Sequence, residues 1–137
     1  MFLKMNRSMQ YKISHEIPEI YYKCHKQFGV EWDRGIIITY GDTIYYKLEL
    51  SDQKLVHEAV HVGQQTDPVA WWKRYLEDPG FRLSQELEAY QAEAKFLKQS
   101  IKDRNKKFMA IRQIAQDLSG PIYGFVIDYN KAFELLK

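Results

Sequence analysis

Residues 56–62 read Val-His-Glu-Ala-Val-His-Val, and this run constrains the fold more than any other stretch of the chain. His57 and His61 can act on one ion together only if the backbone between them is helical. At i and i+4 they lie one turn apart on one helix face, whereas a strand would hold them about 13 Å apart. Two histidines at that spacing chelate a single zinc ion, and the Glu58 between them in sequence is the residue type that takes a proton from water. With four histidines and ten glutamates in 137 residues, chance gives this pattern on the order of once in a hundred such chains.

The flanking sequence agrees with a helix there. Ser51 or Asp52 supplies an N-cap, which predicts a helix over 52–65. Ahead of it, Ile36-Ile37-Ile38-Thr39-Tyr40 and Thr43-Ile44-Tyr45-Tyr46 flank a two-residue Gly41-Asp42 turn, a β-hairpin signature. A short helix is predicted over 16–28, opening near Pro18 and stopped by Gly29. After the motif, the pattern predicts helices over 69–77, from 82 towards 103, and on to about 118. A Tyr123-Gly124 turn and a short C-terminal helix with Phe133, Leu135 and Leu136 complete the chain. The expected fold class is α+β, one domain over 1–137, with a mostly helical C-terminal half.

Composition narrows the setting. With 45% hydrophobic residues, 3 Trp, 10 Tyr and 7 Phe, the chain has material for a core and needs no metal to fold. A metal held here therefore has a function. The net charge of +2 argues against nucleic acid as a partner. Lys98, Lys102, Arg104, Lys106 and Lys107 are interrupted by Asp103 and read as a solvated helix face. Cys24 is the single cysteine, no apolar run reaches a membrane span of roughly 20 residues, and Met1 to Ser8 lacks the apolar run of a signal peptide. The expected location is cytoplasmic, with no membrane partner.

A catalytic zinc site takes three protein ligands, so a third must come from elsewhere. Gln64 and Asp67 stand where the metzincin pattern has its glycine and third histidine, which removes that pattern. Asp67, His15, His25 and the glutamates of 85–93 remain. On a helical wheel, at about 100° per residue, the stripe Leu83, Leu87, Tyr90, Ala94, Leu97 and Ile101 faces the core. Glu88 then points to solvent, whereas Glu86 borders the core, where a carboxylate needs a partner. Glu93 could orient a histidine. On the same construction His57 and His61 share the side of their helix away from its apolar stripe, and Glu58 borders them.

His57-Glu58-x-x-His61 followed by Glu86-x-x-Ala89-Tyr90 resembles the gluzincin metallopeptidases, in which a later helix supplies a glutamate as third ligand. Val56 to Gln65 together with Glu86-Leu-Glu-Ala-Tyr90 is similar to small zincin-like proteins of bacteria and their phages, over roughly residues 36–124. The resemblance implies a small zincin-like domain holding one Zn2+ per chain through His57, His61 and Glu86, with Glu58 as the base that activates water and a peptide or protein as substrate. The family often places an Asp four residues after the glutamate ligand; Tyr90 stands there. Tyr75, Tyr90 and Tyr123 are open candidates for stabilising an oxyanion. The hairpin offers a sheet edge on which an extended peptide could align. The contrasting expectation is a zincin-fold accessory or interaction protein that binds metal without turnover. Trp71, Trp72 and Tyr75 read as core, and Cys24 and His25 as a core cysteine beside an exposed histidine.

Overall fold

The computed structural model describes residues 10–137, so the reading of Met1 to Ser8 lies outside the described residues. Three short strands, β1 (Lys12–Ser14), β2 (Ile38–Tyr40) and β3 (Thr43–Tyr45), form a sheet of order β1-β3-β2. The hairpin predicted over 36–46 is β2 and β3, antiparallel, with Thr39 opposite Ile44 and with Gly41 at φ 62° in the turn. β1 joins the other side of β3 in parallel. Nothing in Lys12-Ile13-Ser14 announces a strand, because three residues of which two are exposed carry no alternation.

Among the described residues, six helices make up most of the remainder: α1 (Ile20–Phe28), α2 (Asp52–Gln64), α3 (Pro68–Glu77), α4 (Pro79–Ser100), α5 (Arg104–Leu118) and α6 (Tyr129–Leu136). The α+β class is as expected. Local chemistry sets each start. Ser51 caps α2 by accepting from the Lys54 amide at 3.2 Å, and Asp67 caps α3. Asp78 ends α3 and caps α4 through the Phe81 amide, with Pro79 as the first residue of α4. The break between α4 and α5 falls at 101–103, where Asp103 caps α5 by accepting from the Lys106 amide at 2.8 Å. The residue that interrupts the basic run is thus a helix start. Lys98, Lys102, Arg104 and Lys106 are exposed around it.

Two apolar clusters hold these elements. Tyr90, Ala94 and Leu97 of α4 pack on Ile111, Ile114, Ala115 and Leu118 of α5 and on Ala132 and Leu136 of α6. Burying side chains such as Ile114 and Leu118, both fully inaccessible, contributes roughly 1.5–3 kcal/mol each. The second cluster joins α1, β2 and α3 through Tyr21, Cys24, Ile38, Trp71, Trp72 and Tyr75. Between them runs α2, with the sheet on one side and α4 on the other. No helix among the described residues is long and apolar enough to cross a membrane.

Candidate metal centre

α2 turns Leu55, Val56 and Ala59 into the core, and its histidines lie off that stripe as the wheel expects. That side is not open, however. α4 packs against it, so His57 and His61 are 3% and 4% exposed. Opposite them α4 presents Glu86, also buried, on the flank where its wheel places it, while Glu88 is exposed. Glu86 Oε1 lies 3.1 Å from His57 Nε2 and 3.2 Å from His61 Nε2. One donor atom from each of the three residues lies within 4.8 Å of the others, and this is the single such His/Cys/Asp/Glu group among the described residues. The group could hold a metal ion.

Each donor is aimed by a further contact. His57 Nδ1 is 3.0 Å from Glu93 Oε1, and a carboxylate only accepts, so Nδ1 carries a proton and Nε2 is the nitrogen turned to the centre, able to ligate once the proton it shares with Glu86 is displaced. Glu93 is itself fully buried, with Gln53 Nε2 at 2.5 Å and Lys54 Nζ at 3.1 Å. His61 Nδ1 donates to Gln64 Oε1 at 2.8 Å, because the Gln64 amino group is committed to the Gln85 carbonyl and to Glu88. Glu86 Oε2 accepts from the Tyr75 hydroxyl at 2.6 Å, which leaves Oε1 for the centre. Rings wall the histidines in, Tyr90 edge-on to His57 at 4.4 Å and Trp71 to His61 at 5.6 Å between centroids. Two nitrogens and a carboxylate oxygen, each already oriented, form a donor set that suits zinc.

Glu58 stands apart from this trio. Its Oε1 accepts from Thr39 Oγ1 at 2.9 Å, and its Oε2 lies 3.9 Å from His57 Nε2. The electrostatics divide the carboxylates. Burial opposes charge on His57, but hydrogen bonds to Glu86 and Glu93 outweigh it and push its pKa up to about 10; Glu86 raises His61 in the same way. Burial would raise Glu86, yet the charge of His61 and hydrogen bonds from both histidines hold it well below the usual carboxylate range. Glu93 is lowered against its burial by His57 and Lys54. Glu58 moves the other way, because burial dominates and raises it. Two neighbouring carboxyls pushed apart in this manner suit different tasks, one remaining an anion and the other exchanging a proton.

The other candidate ligands are engaged elsewhere. His15 meets the Tyr46 carbonyl, His25 the Val30 carbonyl, and Asp67 caps α3. Cys24 is buried and its thiol is pushed up to about 12, first by burial and then by the charge of Glu86, which makes it a poor nucleophile. Glu93, seven residues beyond Glu86, fills the orienting role for which the residue at 90 is a tyrosine. Gln64 and Tyr75 escape a sequence reading that looks for charged ligands, although Gln64 lies three residues after His61, a spacing that shares a helix face.

The centre opens on a cavity of about 530 Å³. Trp71, Trp72 and Tyr75, expected as core, are core and cavity wall together. β2 lies at the sheet edge, but part of that edge is closed. The Gln65 carboxamide accepts from the Gly41 amide at 2.7 Å and donates to the Thr39 carbonyl at 2.9 Å, and Trp72 Nε1 donates to the same carbonyl. An incoming peptide finds these groups taken. Comparisons of the chain with family models, with curated proteins and with solved structures return no match, so its resemblance to gluzincins rests on its own motif and partner helix.

Proposed function

We propose that this chain is a zinc-dependent peptidase of gluzincin type, a small zincin-like domain in which His57, His61 and Glu86 hold one Zn2+ and Glu58 is the general base. The observation that carries this reading is Glu58 itself. A site kept only to hold an ion has no need of a further carboxyl beside Glu86 and Glu93, buried next to the ligands, tied to Thr39 and raised by its burial above the ordinary carboxylate pKa. Bound zinc would supply a Lewis acid that acidifies a water and polarises the scissile carbonyl. Glu58 takes the proton of the attacking water at its free oxygen and returns it to the leaving amine, while Thr39 fixes the other oxygen. Glu93 and Gln64 hold the histidine tautomers that metal binding requires.

The partial closure of β2 by Gln65 and Trp72 favours a second reading, a metal-binding accessory or interaction protein without turnover. One experiment separates the two. Zinc-loaded protein should cleave members of a mixed peptide library, and Glu58→Gln should keep one zinc per chain while losing about 10²- to 10⁴-fold in rate. A wild type that holds zinc and cleaves nothing supports the second reading.

A further inference from the structure

The Lys and Arg run across the turn between α4 and α5, which reads from sequence as a solvated helix face, is denser than the small net charge suggests. From Lys95 to Arg112 the chain carries seven Lys and Arg against one Asp, a local charge of +6 in a molecule whose total is +2. The rest of the chain is therefore net negative, at −4. Six of the seven cations are exposed, and Lys107 is partly so. None of the seven has an ion-pair or side-chain hydrogen-bond partner among the described residues, whereas Arg34, Lys47, Lys73, Arg74 and Lys137 each meet a carboxylate. Asp103, the one anion of the run, is engaged as the cap of α5, and α5 has no carboxylate before Asp117.

Two apolar side chains stand in this field. Phe108 and Met109 are 51% and 54% exposed, and Phe108 rests edge-on against Phe133 of α6 with 5.7 Å between ring centroids. Arg104, Phe108 and Arg112 follow one another at i, i+4 and i+8 along one face of α5, with Met109 beside them. A surface that meets phosphates alone asks only for cations, and apolar side chains held in water among them gain nothing. The headgroup boundary of an anionic bilayer uses both. Lipid phosphates meet the cations, the apolar tips enter the acyl layer, and the Lys and Arg stems lie along it. Contact there also spares the metal centre, because α5 reaches the cavity only at Asp117, eleven residues beyond Lys106 and so about 16 Å along the helix axis.

We propose that the turn between α4 and α5, with the exposed face of α5, docks on the surface of an anionic bilayer. Lys98, Lys102, Arg104, Lys106 and Arg112 meet lipid phosphates there, and Phe108 and Met109 insert. No segment spans the bilayer, and the docking holds whichever reading of the metal centre is right.

Cosedimentation of the full chain with vesicles tests this, using phosphatidylcholine alone and phosphatidylcholine with about 30% phosphatidylglycerol. The protein should bind only the second, and less as salt rises from about 0.1 M to about 0.5 M. Lys106→Glu with Lys107→Glu should weaken binding about 25-fold or more, since each cation near such a surface is worth about fivefold. Phe108→Gln with Met109→Gln keeps every charge and the helix, and should weaken it about tenfold. Lys23→Glu with Lys26→Glu, two exposed cations of α1, changes net charge as much as the first pair and should leave binding nearly intact. All three variants alter exposed or partly exposed positions and should keep the far-UV circular dichroism of the wild type.

Binding to neither vesicle, or equally to both, overturns the proposal. So does a loss in the α1 pair as large as that in the α5 pair, which would reduce the effect to net charge. Binding indifferent to Phe108→Gln with Met109→Gln overturns the lipid assignment, and tighter binding of a single-stranded DNA of about 20 bases would give the surface to nucleic acid instead.

Discussion

Helix α4 has two faces of opposite chemistry. Towards α5 and α6 it presents Tyr90, Ala94 and Leu97 to an apolar cluster; towards α2 it presents Glu86 and Glu93 to two histidines. Both faces are buried. The apolar face lowers free energy wherever methyl groups meet. The polar face takes charge out of water, and buried pairs of this kind are weak grounds for stability because desolvation offsets much of their attraction. The contrast teaches that the first face holds the fold and the second is held by it, which is the arrangement a preorganised ligand site needs.

The contrast can be broken from either side. Leu118→Ala should destabilise the protein by about 2–5 kcal/mol in denaturant titration while leaving the metal-to-chain ratio intact. Glu86→Ala should do the reverse at the centre and empty it of zinc, read by metal analysis. Full retention of zinc by Glu86→Ala would remove Glu86 as third ligand. A smaller effect sharpens the roles within the polar face. Glu93→Gln loses the anion behind His57 but not the ligand, and zinc affinity should fall about 10- to 100-fold in competition with a chelator.

The smallest effect is in the pH dependence. His57 in the metal-free fold is raised from 6.5 to about 10, so its proton contributes stability in full below about 6.5, and that contribution is lost as pH rises through about 10. Thermal unfolding of the chelator-treated protein should therefore move to lower temperature across that window. Zinc affinity should move oppositely, gaining about tenfold per pH unit for each histidine proton that binding displaces, since His57 and His61 are both raised and both must lose a proton to ligate. A metal-free Tm that is flat across the window would refute the protonated His57.

What the sequence could and could not reveal follows from range. The hairpin, the start of α2 at Ser51 and the pairing of His57 with His61 depend on neighbours one to four residues apart and are readable from spacing and capping chemistry, whereas α1 begins at Ile20 rather than 16 and α4 at Pro79 rather than 82. Glu86 could be selected because a carboxylate at the border of an apolar stripe demands a partner. The partner's depth could not be read, since a wheel for α2 alone cannot know that α4 covers its histidine face. β1 was missed because its three residues gain their meaning only from β3, some thirty residues later. Which of the Tyr75, Tyr90 and Tyr123 hydroxyls is already engaged could not be read for the same reason. It depends on which acceptor each hydroxyl has already met across the fold.

Gln65 has a consequence beyond the cavity. An open strand edge is a template on which another chain can pair, and an Ile-rich hairpin beside an apolar hollow is the kind of surface where such pairing begins. With one carboxamide, Gln65 satisfies the Gly41 amide and the Thr39 carbonyl in the way an added peptide unit would. The molecule so closes part of the β2 edge with one of its own side chains, and at Thr39 and Gly41 removes the template on which a second chain would pair.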